Sequence, residues 1–169
     1  MPPAACQKAA DRNTAQPAHR AHPHYLFSGP SRSLQAGAVR HGALVQVLTG
    51  SSYGFNYPDA ISSDGTHVWA ANYGGDSVTE LNATTGALVQ VISASGDGFR
   101  HPDAVSSDGT HVWVANSDDS VTELNAATGA GQVISGSRYG FDEPDAIASN
   151  GTDVWVANLG DQSITGFPA

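Results

Sequence analysis

An all-β fold built from one repeated four-stranded sheet is predicted by three observations. The phrase SSDGTHVWAAN at residues 62–72 returns with a single change as SSDGTHVWVAN at 106–116, 44 residues on, and in altered form as ASNGTDVWVAN at 148–158, 42 residues further. Between these phrases the chain falls into short segments rich in Val, Ile, Thr and aromatic residues, each bounded by turn residues, which is how strands are written. No segment of ten or more residues carries the 3.6-residue periodicity of an amphipathic helix, which excludes a helical repeat of this length. Four strands per 42–44 residues is the size of one β-propeller blade, a single antiparallel sheet packed between two neighbours.

Each unit begins with a Pro-Asp-Ala strand, which in a propeller lines the axis. A hairpin dipeptide follows, Asp64-Gly65, Asp108-Gly109 or Asn150-Gly151, whose residues tolerate positive φ. The second strand, HVWVAN in its central copy, is apolar on both sides, as a strand covered by neighbours on both faces must be. Trp69, Trp113 and Trp155, one per blade, are expected to pack between blades rather than to stack on a ligand. SVTELN and ALVQVI supply the third and fourth strands, and a Gly-rich link ending in Gly-Phe leads to the next unit. The register of the repeats is offset. A fourth strand spanning residues 44–48 comes first, and the last unit holds only three strands, at 145–149, 153–158 and 163–167. Twelve strands are expected, three blades of four, with the first and last blades sharing strands.

Charge divides the chain in two. Residues 1–40 carry Lys8, Arg12, Arg20, Arg32 and Arg40 against Asp11 alone, whereas residues 41–169 carry only Arg100 and Arg138 against fifteen acids. The first part has no strand or helix period and reads as a disordered basic leader; residues 41–169 read as the repeat domain. So acidic a body does not suit nucleic-acid phosphates or an anionic membrane surface. Cys6 is the only cysteine, so no disulfide supports the fold. Residues 1–40 show neither a secretory signal nor a membrane span, and the compartment is left open. His19, His22 and His24 in the leader lack the thiols, carboxylates and scaffold of a metal site.

Function is expected on the face that carries the long links and the second-to-third connections, because binding residues concentrate on long loops. There Asp59, Asp103 and Asp145 recur just before the inner strand, and Asn72, Asn116 and Asn158 end the second strand. Six oxygen-bearing side chains around an axial mouth suit a hard cation such as Ca²⁺ or Mg²⁺. Their identity in every copy favours a structural role instead, since Asp after Pro commonly caps its own turn. His101, beside Pro102, is the one unrepeated histidine on that face and the candidate for a general base. His67 and His111 lie on the plain face and are not expected to do chemistry. Glu80 and Glu123, in third strands, are expected on the solvated surface. No nucleophile elbow, phosphate loop, dinucleotide fingerprint or zinc-ligand spacing is present. No cofactor is therefore expected, with Ca²⁺ or Mg²⁺ as the alternative.

HVWVANSDDSVTELNAATGA resembles the bacterial YVTN repeat, here spelled Trp-Val-Ala-Asn, and GFRHPDAVSSDGTHVWVAN is similar to an NHL-type blade. Both families are β-propellers, so the resemblance, over about residues 41–167, implies the propeller fold. It leaves function open, because such repeats occur in enzymes, sensors and scaffolds alike. Gluconolactonase-like and streptogramin-lyase-like propellers hold axial metals, which would make a metal-dependent lyase or lactonase of this chain. A non-enzymatic module binding a protein or small ligand on the long-loop face is the preferred reading.

Three blades fall short of the roughly 4–8 of an ordinary propeller. The sequence is therefore expected to be a piece of a longer propeller, to pair into a homodimer completing a six-bladed ring, or to expose sheet edges.

Overall fold

The computed structural model describes residues 42–93 and 98–169; the expected basic leader, with its histidines, lies outside the described residues. Among the described residues eleven strands form three antiparallel sheets. Blade 1 contains β1 (Pro58–Ser63), β2 (His67–Asn72), β3 (Ser77–Asn82) and β4 (Leu88–Ser93) in that spatial order. Blade 2 repeats it with β5 (Pro102–Ser107), β6 (His111–Asn116), β7 (Ser120–Asn125) and β8 (Gly131–Ser135). Blade 3 has β9 (Pro144–Ser149), β10 (Asp153–Asn158) and β11 (Ser163–Pro168), with β11 at its edge. The inner strands β1, β5 and β9 are neighbours.

The twelfth expected strand, residues 44–48, forms no ladder among the described residues. Backbone hydrogen bonds define a strand, and among the described residues no sheet edge pairs with this segment. Its position is nonetheless that of a fourth strand. The Gln46 amide lies against Gly86, in the β3–β4 turn, just as Gln90 of β4 lies against Gly129 in the β7–β8 turn. Leu48 shares a cleft with Ala70 and Leu81 of blade 1.

The hairpin turns differ from the expected form. Gly65, Gly109 and Gly151 have φ of 89°, 88° and 81°, but the preceding Asp or Asn does not enter the left-handed region. Its side chain caps the turn instead: Asp64 Oδ1 accepts from the backbone N–H groups of Thr66 and His67, both at 2.8 Å. Asp108 and Asn150 cap the same two positions in their turns. An amide oxygen serves as well as a carboxylate here, which is why Asn150 preserves the turn.

Alternation along the second strand gives each blade two apolar faces. On the face toward the next blade stand Trp69 and Ala71; they pack with Val105, Val112, Val114 and Leu124 of blade 2. Trp113 and Val121 pack likewise with Val154 and Val156 of blade 3, and the Trp113 ring meets Phe167 edge-on at 5.8 Å. Trp69 and Trp113 are fully buried, as expected; Trp155, expected to pack likewise, is half exposed because no blade covers its face among the described residues. Burying side chains of this size contributes about 25 cal/mol per Å² of apolar surface and is the main force between blades.

Polar latches add to it at both ends of the sheets. On the plain face, Ser107 donates its N–H to Ser62 Oγ at 3.0 Å and its hydroxyl to Asp64 Oδ2 at 3.1 Å. Ser149 repeats both bonds to Ser106 and Asp108, each at 3.0 Å. On the long-loop face, the backbone N–H of His101 donates to Asp76 at 2.7 Å, and that of Glu143 to Asp119 at 2.8 Å. The repeated phrase thus makes a hairpin and, through its Ser and Asp, the joint to the next blade.

Candidate functional site

The long-loop face is assembled from the links that precede each inner strand and from the β2–β3, β6–β7 and β10–β11 connections. Pro at the head of an inner strand donates no hydrogen bond, and the ladder slips there. Pro58 pairs with Asn72 but Ala60 with Ala71, leaving Asp59 unpaired in a β-bulge. Asp103 and Asp145 occupy the equivalent bulges. A bulge turns its extra residue out of the pleat. Three aspartates therefore head three neighbouring inner strands. Asp59 and Asp145 are exposed and form no hydrogen bond among the described residues, whereas half-buried Asp103 accepts from the Ser117 hydroxyl at 2.6 Å. The turn-capping role that the sequence suggests for them is taken by no bond among the described residues.

The asparagines go elsewhere. Asn72, Asn116 and Asn158 are buried within their blades. Asn72 Nδ2 donates to Ser77 Oγ at 3.2 Å and Thr79 Oγ1 at 3.0 Å; the other two make the same pair of bonds. Two carbonyl oxygens meet the link backbone: Asn116 Oδ1 accepts from Arg100 N–H and Asn158 Oδ1 from Asp142 N–H, while Asn72 Oδ1 has no partner among the described residues. These amides tie the second strand to the third and brace the link. The structure thus places the three aspartates at the same end of three inner strands and buries the asparagines within the blades, and no three His, Cys, Asp or Glu among the described residues gather at metal-binding distance.

His101 is exposed, with φ of 47°, and its ring lies 4.8 Å from the Tyr73 ring of blade 1. Its carbonyl accepts from Ser117, which also holds Asp103. Histidine, tyrosine, serine and aspartate thus meet where blades 1 and 2 adjoin. Charge on this face is uneven: Asp76, Asp118, Asp119, Asp142, Glu143 and Asp161 join the bulged aspartates against Arg100 and Arg138. The Arg138 guanidinium is stacked 4.5 Å from the Tyr139 ring.

One polar cluster escapes sequence reasoning. Glu80, expected in solvent, is buried. It accepts from Gln90 at 2.7 Å and lies 3.5 Å from Nε2 of His67, whose Nδ1 is 3.9 Å from Asp64. Glu123, Gln132, His111 and Asp108 repeat it on blade 2. The signal was the cross-strand register, Trp69 opposite Glu80 opposite Gln90, which places Glu80 on the face that the next blade covers. Burial opposes ionisation of Asp64 and Asp108, but bonds from two turn amides, an indole and a serine together outweigh it and hold both below the ordinary 3.8.

No protein-family model matches the chain, and no curated protein matches it. Solved structures do. Hydrazine synthase of Kuenenia stuttgartiensis superposes with a TM-score of 0.58 and 22% identity over 77% of this chain and 36% of that one. BamB from Moraxella catarrhalis gives 0.52 and 15% over 64% and 30%. A streptogramin B lyase gives 0.51 and 16% over 68% and 41%. The chain spans about a third to two fifths of the length of these proteins. All are β-propeller proteins, and at such identities the likeness establishes architecture alone: the described chain consists of β-propeller blades.

Proposed function

We propose that the chain is a non-enzymatic propeller module that binds a cationic group, on a protein or a small ligand, at its long-loop face. One observation carries this reading. Asp59 and Asp145 face solvent at bulges, without a hydrogen-bond partner among the described residues, at the heads of the two inner strands that flank β5, on a face rich in further acids. A face rich in carboxylates favours positive charge and raises its local concentration. The aromatic ring of Tyr73 beside His101 offers an apolar contact next to it. The metal-dependent lyase or lactonase reading needs the asparagine oxygens at the mouth, but all three asparagines are buried, and the oxygens of Asn116 and Asn158 accept from link backbone.

Calorimetric titration with spermine and with an oligo-lysine peptide tests the proposal. Binding that weakens with salt and is lost in Asp59→Asn/Asp145→Asn supports it. No heat with either probe, or equal affinity in the double variant, overturns it. A parallel titration with Ca²⁺ and Mg²⁺ addresses the metal reading: tight binding with a raised melting temperature would favour it.

A further inference from the structure

The two internal blade interfaces show what the two outer faces are shaped to meet. On blade 1, Ile61 is 72% exposed, whereas its equivalent Val105 is 7% exposed beneath Trp69. On blade 3, Trp155 is 51% and Ile164 72% exposed, whereas Trp69 and Val78, in the same places on blade 1, are fully covered. One outer face is thus the back of a blade and the other is the front of the same kind of blade.

Residues 44–48 say how they fit. The segment holds the place of a fourth strand in front of blade 1, and among the described residues it pairs with no other strand. Among the described residues blade 3 has three strands, and nothing pairs with its β11 edge. Gly54 and Gly98 lie against Val91 of β4 and Val133 of β8, but no side chain lies within 4 Å of a Cβ built on their equivalent Gly140. By repeat position Val47, which is 71% exposed, is the matching residue.

We infer that blade 3 of a second copy docks in front of blade 1, with residues 44–48 of each chain completing the other chain's third sheet. The register follows from the internal pairs Val78–Ile92 and Val121–Ile134: Ile164 of one copy faces Leu48 of the other. Such a contact joins two different faces, so its number of copies is set by closure. Propellers close with about 4–8 blades; two copies give six and three would give nine.

This joint is weaker than those within the chain. Where blades 1 and 2 latch forward through Ser62, Asp64, Asp76 and Ser106, Asp108, Asp119, blade 3 carries Ala148, Asn150 and Gln162. One acceptor is lost and two carboxylates become neutral amides, whose hydrogen bonds are roughly half as strong. The dimer is therefore reversible, and its affinity is written in those three positions.

Sedimentation velocity of the full chain over a concentration series tests this. A monomer–dimer equilibrium is expected, shifted to monomer by Ile164→Glu or Ile61→Glu with unchanged circular dichroism, both residues being solvent-facing in the single chain. Ala148→Ser/Asn150→Asp/Gln162→Asp tightens it by about tenfold or more. In a Cys6→Ser background, Leu48→Cys/Ile164→Cys forms a disulfide between chains on oxidation. A monomer throughout the series, open-ended polymers, dimers unaffected by either glutamate, or a disulfide closing within one chain each overturns the inference.

Discussion

Asp108→Asn isolates the joint between blades 2 and 3 from the turn that carries it. The asparagine still caps Thr110 and His111, as Asn150 does one blade later. What it removes is the charged Oδ2, which accepts from Trp113 Nε1 at 3.4 Å and from Ser149 Oγ at 3.0 Å. The serine can reverse its role and accept from the new Nδ2, so that bond weakens without vanishing. The indole N–H of the buried Trp113 is left facing a donor, at a cost of about 1–3 kcal/mol. The sum is about 2–3 kcal/mol at neutral pH. Asp108 is held below 3.8 in the folded chain, so its contribution is full above that value and fades as pH falls through the lower folded pKa. Urea denaturation followed by tryptophan fluorescence, at one fixed protein concentration, measures the difference. The variant should unfold at lower urea at neutral pH, and the gap should narrow steadily once pH drops below 3.8. Equal midpoints at neutral pH, or a gap that persists in strong acid, would refute the latch.

Other outcomes follow from the same geometry. Trp113→Ala, emptying a fully buried site, should cost about 3–5 kcal/mol in denaturant melts, whereas Trp155→Ala should cost under about 1.5 kcal/mol in the single chain and show chiefly in sedimentation. Asn116→Ala strips Ser120 and Thr122 of a shared donor and Arg100 N–H of its acceptor, and should lower stability by about 2 kcal/mol by urea melts. Gly109→Ala forces alanine to a φ of 88°, and should cost about 1–2 kcal/mol by the same measurement.

The positions of the paired strands, the sites of the hairpin turns and the burial of Trp69 and Trp113 were legible in the sequence because they repeat and because turn chemistry is local; Trp155, with the same local sequence, is half exposed because no blade covers it among the described residues. A Gly at positive φ after Asp or Asn needs only its neighbours, and a Trp between β-branched residues on a twofold pattern needs only burial. The candidate site was half legible. Asp59, Asp103 and Asp145 do reach the long-loop face, but through a bulge, a slip in pairing between two strands that no single segment records. Asn72, Asn116 and Asn158 share that end of the sheet, yet their amides turn inward to hydroxyls on the third strand. Glu80 reads as a surface charge until the next blade covers it. Residues 44–48 have a strand's sequence and a fourth strand's location without a strand's hydrogen bonds. A repeat fixes what each segment can pair with; only the packed sheets decide whether a partner's edge is there, and which polar groups face it.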